Sequence, residues 1–372
     1  MRTSGAGRVL MFSQRNLYEL EVWRSGLREF EELIRKLDVV DLLAPQRGRW
    51  FAQRKRLALR VGRDTEIVLN AGVPRIKLDR DYDLFFAIVE KPAELLNVNS
   101  LEGWTDRCRT SICWLNELWV KEIPLHKSSM KVLSKFDYVL SSLSESVEPI
   151  NRVIRGRCVY MPQSTDALAL LPYPKEVERC IDVLSVGRRS EEAHRALVSM
   201  AREDKIFYVY DTQTDLHTKD IEEHRFLFTN RVKRSRYFVV YPAKWDRPDE
   251  RGDQSETGSR YFEGAAAGTI MIGAPPKNPE FGDVFPWVDA VVPLPLDSRG
   301  IAAVIRELDQ QPERQERIRR TNVVQSLLRH DWVYRWEAIL TLAGLPPMPE
   351  VVKRKERLAE LAEMVRKGVI KV

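Results

Sequence analysis

The chain has 372 residues, 44% of them hydrophobic and 31% charged, with a formal net charge of +6 at pH 7. That length exceeds the usual single-domain size and favours two domains with real cores, while no apolar run approaches the roughly 18 residues that a spanning helix needs. The four cysteines (Cys108, Cys113, Cys158 and Cys180) form no CxxC pair and sit near no histidine set, which argues against a zinc site or a secreted disulfide scaffold.

The opening stretch, MRTSGAGRVLMFSQ, starts basic, but its apolar run VLMF is too short for the core of a secretion signal. A cytoplasmic protein is expected, with RVLMFS (8–13) as its first strand. EVWRSGLREFEELIRKL (21–37) places Val22, Leu27, Phe30, Leu33, Ile34 and Leu37 on one helical face. DVVDLL follows. Then seven bases, Arg47, Arg49, Arg54, Lys55, Arg56, Arg60 and Arg63, fall within seventeen residues. They read either as a solvated helix face or as a surface for a phosphorylated substrate, an anionic membrane or nucleic acid. Aromatics do not alternate with these bases as a stacking platform requires, so nucleic acid is not expected. Peripheral membrane contact through 47–63 stays open.

EIVLN (66–70), YDLFFAIVE (82–90), SICWLNEL (111–118), YVLSSL (138–143) and CVYMP (158–162) continue as strands. Short continuous apolar runs alternating with helices predict an α/β chain with a parallel sheet covered on both faces, hence Rossmann-like.

Near residue 165 the texture changes to QSTDALALLPYPKEVERC, a linker with two prolines. A second α/β series follows: IDVLSVG (181–187), a helix near 190–202, IFYVYD (206–211), FVVY (238–241), TIMIG (269–273) and AVVPLP (290–295). Two helical segments come next, and an amphipathic charged helix (351–370) lies beyond GLPPMPE. The reading is two Rossmann-like domains, 1–168 and 169–345, with a terminal helical segment, 346–372. Ligands of open α/β sheets bind beyond the carboxyl ends of the strands, which directs attention to the loops after Gly187, Asp211, Tyr241 and Gly273.

The loop PAKWDRPDERGDQSETG (242–258), seventeen residues long, is unusual in a compact α/β unit. It leads to SRYFEGAAAG, where Ser259 reads as an N-cap. Arg260 and Glu263, three apart, project from one side of the first turn. Small residues behind them let the helix lie close to the sheet. A helix N-terminus at a cleft favours a phosphate, an arginine can neutralise it, and a carboxylate can accept two sugar hydroxyls. The plain alternative is an exposed salt bridge on an ordinary helix.

RYFEGAAAGTIMIG, followed by HDWVYRWEAIL (330–340), resembles the carboxyl half of the group 1 glycosyltransferases of GT-B architecture, nearest the branch of CgeB-like spore-maturation proteins. The likeness covers about residues 180–340. It implies a GT-B fold whose two domains face each other across a cleft, the first binding the acceptor, the second a nucleotide sugar, and the final helix crossing back onto the first domain. It also implies that Glu263 holds the ribose hydroxyls, that Arg260 lies near the diphosphate with Ser259, and that Gly187 and Arg188 approach the phosphates.

Two positions depart from the family pattern. Where a first glutamate often contacts the donor sugar, this chain has Ser255, with Glu256 one residue later as the donor-binding candidate. The lysine that often follows the glycine–arginine loop is absent, His194 and Arg195 occupying that region, and Arg231 and Lys233 are candidates to supply the charge.

The implied activity is a metal-independent glycosyltransferase of hexosyltransferase type. It would move a sugar from a nucleotide donor, its co-substrate in place of a cofactor, to a hydroxyl acceptor such as a lipid-linked or glycan one. Fixed positive groups can stabilise the departing diphosphate without a metal. If configuration inverts, a base is required, for which His126 is the candidate, with Asp106 and Asp166 behind it. DYD (81–83) resembles a metal-binding Asp-x-Asp, but its carboxylates precede their strand instead of following it, so no metal site is expected. The competing reading is a non-catalytic binding protein on a degenerate GT-B fold.

Overall fold

Strands that run apolar from end to end must be covered on both faces, and here they pair in parallel. In the computed structural model, which describes residues 7–372 apart from 19–20, 155, 175, 212–216, 219 and 297–298, the first half contributes eight strands. These are β1 (Gly7–Phe12), β2 (Val40–Leu43), β3 (Ile76–Lys77), β4 (Tyr82–Val89), β5 (Leu101–Glu102), β6 (Cys108–Leu115), β7 (Tyr138–Ser141) and β8 (Cys158–Tyr160). The second half contributes β9 (Ile181–Ser185), β10 (Tyr208–Tyr210), β11 (Ser235–Val240), β12 (Ile270–Gly273) and β13 (Val292–Pro293).

The strand orders are β2-β1-β4-β6-β7-β8 in the first sheet and β10-β9-β11-β12-β13 in the second, with β3 and β5 forming a small pair of their own. Every pairing among these strands is parallel. The central strand β4 shows why: Leu84, Phe85, Phe86, Ala87 and Val89 are all buried, so neither face meets water. One expected strand does not form. At 66–70 the chain is irregular, because Asn70 folds it back on itself, its Oδ1 accepting from the Gly72 N–H at 2.7 Å.

Eight helices position the site: α1 (Ser25–Leu37), α2 (Phe51–Asp64), α3 (Glu191–Arg202), α4 (Ile221–Lys233), α5 (Ser259–Ala266), α6 (Pro312–Arg329), α7 (Trp332–Leu342) and α8 (Pro349–Arg366). The crossing between domains is shared by the last two. From α7, Trp332 stacks on Phe30 at 4.6 Å between ring centroids and Trp336 packs on Phe86 at 5.7 Å, so this helix covers the first sheet. Helix α8 lies against α6 of the second domain and against α1 of the first. Arg8, at the start of β1, donates to Asp38 at 2.5 Å and to the Pro346 carbonyl at 2.6 Å, which anchors the connection between α7 and α8. No helix among the described residues is long and apolar enough to cross a membrane.

Candidate active site

A cleft of about 560 Å³ opens where the carboxyl ends of both sheets face each other. Its second-domain wall is built from two strand–helix junctions. After β9 the chain turns at Gly187, whose φ of +81° suits glycine, and Gly187 and Arg188 line the cleft. The Gly187 N–H donates to Asp211 at 2.8 Å, and Arg188 pairs with Asp246 at 2.8 Å while remaining half exposed. After β11 the long loop delivers the N-terminus of α5, and Gly258, Ser259, Arg260 and Glu263 line the cleft together. The N-cap is Gly258 and no side chain caps it, so Ser259 is the first helical residue instead of the cap expected from sequence. An uncapped first turn keeps N–H donors and the positive end of the helix dipole available to an anion.

Helix α5 lies tight on the sheet because Gly264 lets it: a Cβ there would meet Met271 Sδ at 2.8 Å and Phe238 Cδ1 at 2.9 Å. That close approach buries Glu263. Its carboxylate faces the cleft but is already gripped, Oε1 by Arg225 at 2.5 Å and Oε2 by Arg260 at 2.5 Å. Burial works against its charge, but Arg260 and Arg225 hold it below the ordinary carboxylate value. Each oxygen can accept a second hydrogen bond, so the grip leaves acceptor capacity for a hydroxyl. Arg225 reaches further, to Glu29 of α1 at 2.7 Å, and ties the two domains through one guanidinium.

The first-domain wall carries a carboxylate that the sequence reading passed over. Glu90 follows β4 directly, at the ligand-facing end of the strand, and lines the cleft while only 4% exposed. Asn116, just past β6, donates to both its oxygens at 3.0 and 3.1 Å, and no cation pairs with it within 4 Å among the described residues. Burial, with Glu117 adding its charge, pushes the Glu90 carboxyl up to about 8. A group poised there exchanges protons near neutrality. Trp119 lines the same wall, its indole N–H donating to Glu117 at 2.7 Å, whereas Trp114 lies wholly in the core.

The seventeen-residue loop is a bridge between domains. Lys244 forms ion pairs with Glu117 of the first domain and with Glu250. Gln254 Oε1 accepts from the Val120 N–H at 2.7 Å. Glu256, expected at the donor, is instead fully buried away from the cleft. It accepts from the Ser144 N–H at 3.0 Å and the Glu145 N–H at 2.9 Å, capping a turn of the first domain. The physical reason is register. Glu256 turns to the first domain, while its neighbour Ser255 accepts from the Lys277 N–H at 3.0 Å.

Other expected positions also fall elsewhere. His126 does not line the cleft, because a 3-10 run (Val120–Leu125) carries the chain away and the next helix, Lys127–Leu133, packs on α2. There burial and the nearby Arg63 lower its affinity for a proton. Arg231 and Lys233 sit at the C-terminal end of α4, beside the start of β11 and so at the end of the sheet opposite the cleft. Lys233 donates to the Ala169 carbonyl at 3.1 Å. His194 and Arg195 are engaged with Tyr208 and Glu191. Asp81 and Asp83 lie at the start of β4, also opposite the cleft, near Arg107 and Arg109. Asp106 lies exposed on the short helix Trp104–Arg107, while Asp166 pairs with Arg354. In the basic stretch, Arg47 and Lys55 are drawn to Leu17 and Tyr18, and Arg49, Arg54, Arg56, Arg60 and Arg63 stay exposed beside Trp50 and Leu57.

With this geometry in place, residues 217–341 match a family model described as glycosyl transferase-like. No curated protein matches the chain. Among solved structures, it is similar to an alpha-glucosyltransferase in complex with UDP and a 13-mer DNA containing an HMU base, at 11% identity and a TM-score of 0.50, covering 91% of this chain and 100% of that one. It is similar also to a glycosyltransferase from Rickettsia africae ESF-5, at 8% identity and a TM-score of 0.51, covering 94% and 99%. Likeness over more than nine-tenths of each chain, at such low identity, is a likeness of fold: two Rossmann-like domains facing each other in the GT-B arrangement.

Proposed function

We propose that this protein transfers a sugar from a nucleotide-sugar donor to a hydroxyl acceptor, without a metal, the second domain holding the donor. The observation that carries the reading is the shared cleft. The open N-terminus of α5, with Arg260 and Glu263, shares that cleft with a buried carboxylate, Glu90, on the other domain. In this arrangement the diphosphate lies on the first turn of α5 between Arg260 and Arg188, whose fixed charges stabilise it as it departs. The unfilled acceptor capacity of Glu263 takes ribose hydroxyls. Glu90 removes the acceptor proton, in place of His126, which implies inversion at the anomeric carbon.

Similar structures that bind UDP support a uridine nucleotide as the first donor to try, and RYFEGAAAGTIMIG supports a place in the CgeB-like branch of the group 1 transferases. Helix α2, with exposed Arg54, Arg56, Leu57 and Arg60, supports peripheral contact with an anionic membrane. The test is a thermal-shift panel of nucleoside diphosphates and UDP sugars, followed by an assay for UDP release. Stabilisation by one nucleotide with slow hydrolysis of its sugar is the expected result. A second reading, a binding protein that keeps the fold without turnover, is favoured by the double arginine grip on Glu263. Tight nucleotide binding with no UDP release under any acceptor would select it.

A further inference from the structure

A second, smaller cavity of about 40 Å³ opens beside the cleft in the first domain, and Leu27 and Glu90 belong to the walls of both. Its remaining lining includes Arg15, Arg24, Arg28, Glu31 and Glu94, gathered at the carboxyl ends of β1 and β4 and on the inner side of α1. Most of these charges are settled. Arg15 pairs with Glu31 at 2.7 Å and with Glu32 at 2.8 Å. Arg24 pairs with Glu21 at 2.7 Å and Glu94 at 2.6 Å, and Glu94 also accepts from the Glu90 N–H at 2.9 Å.

Arg28 is the exception. It lines the cavity half-buried, and among the described residues no carboxylate lies within 4 Å of its guanidinium and no hydrogen bond engages it. Burial weighs most against its cationic form; Glu31 favours the charge from beyond 4 Å, Arg15 opposes it, and Glu32 and Glu222 favour it more weakly. A half-buried guanidinium with no protein partner keeps its planar fork of donors open to an oxyanion, which it can hold bidentately.

We propose that this cavity is the acceptor's anchoring site, and that it takes a small hydroxylated compound bearing a phosphate or carboxylate group. The anionic group sits on Arg28 and the nucleophilic hydroxyl reaches Glu90 on the shared wall. The assignment of the hydroxyl rests on the transferase reading; the anion site on Arg28 does not. In the transfer step the acceptor oxygen forms its bond to the anomeric carbon as the bond from that carbon to the diphosphate oxygen breaks. The hydroxyl proton goes to Glu90, and the nucleoside diphosphate leaves with the electron pair.

Saturation-transfer NMR on the full chain tests this with glycerol 3-phosphate, glycerate and glycerol as probes, each with and without saturating UDP. Glycerol 3-phosphate or glycerate should give signal where glycerol does not, and whichever of the two is stronger identifies the anion. The signal should survive UDP and weaken about tenfold or more in Arg28→Gln, with partial recovery in Arg28→Lys. Equal signal from glycerol, displacement of the anions by UDP, or unchanged binding in Arg28→Gln would each overturn the site. If Arg28-dependent anion binding appears while UDP itself never binds the wild type, the cavity stands and the transferase reading falls.

Discussion

The Glu256 carboxylate accepts the backbone N–H of Ser144 at 3.0 Å across the domain boundary, with both groups buried. The same carboxylate takes the Glu145 N–H at 2.9 Å, so one side chain of the second domain closes an open turn of the first. Glu256→Ala removes the acceptor and leaves the buried Ser144 N–H, with the Glu145 N–H at the edge of the interface, without its partner. The expected loss is about 3 kcal/mol of stability, since a buried unsatisfied donor costs about 1–3 kcal/mol. Denaturant unfolding of wild type and variant measures it. A change within experimental error would mean that the loop does not hold the domains together.

Glu263 invites a variant that separates fold from ligand. Glu263→Ala would strand Arg225 and Arg260, two cations that now share it, so loss of nucleotide binding could follow from local collapse. Glu263→Gln keeps the shape and one acceptor oxygen. It is expected to unfold a few degrees lower and to lose the stabilisation that a bound nucleotide gives the wild type. The pH dependence has a definite sign. Because the two arginines hold the folded carboxyl below its ordinary value, the charge contributes stability above the unfolded carboxylate value near 4.5 and loses it as pH falls through the folded one. The stability gap between wild type and Glu263→Gln should therefore narrow below about pH 4.5. A gap that stays constant to pH 3 would mean that the arginines do not stabilise this charge.

The sheets were legible in the sequence because buried parallel strands are written as unbroken apolar runs, and β4 and β6 are cases of it. The segment 66–70 has the same texture and forms no strand; a local asparagine turn outweighs a run of only three apolar residues. The second-domain wall of the cleft was legible where a motif lies on contiguous residues, as with Arg260 and Glu263. Arg225 was not, since its role depends on Glu29 some two hundred residues away. A signal was present all the same: Ile221, Arg225, Phe228 and Val232 share one helical stripe, which puts a charge in the middle of a buried face. Glu256 misled because one residue of register separates a cleft from an interface, and spacing alone does not fix a loop's register. His126 misled because a 3-10 run, invisible to apolar periodicity, turned the chain aside.

Glu90 offers the sharpest test, since the strand-end rule that drew attention to the second domain applies equally to the residue after β4. Its carboxyl is pushed up to about 8 by burial and by Glu117. A base with that affinity gives a transfer rate that rises with pH and levels off above about 8, and Glu90→Gln should lower the plateau about a hundredfold or more. The linkage to stability runs the opposite way to that of Glu263. The folded protein keeps a proton that the unfolded chain releases near 4.5, so stability falls as pH rises from there to about 8. Glu90→Gln cannot release that proton; its stability should be flatter over the window and should exceed that of the wild type at pH 8. Measuring both curves on the same two proteins distinguishes a base from a packing residue. A rate plateau that moves with no change in the stability slope would place the titrating base elsewhere, and a changed slope with an unchanged rate would leave Glu90 a buried acid outside the reaction.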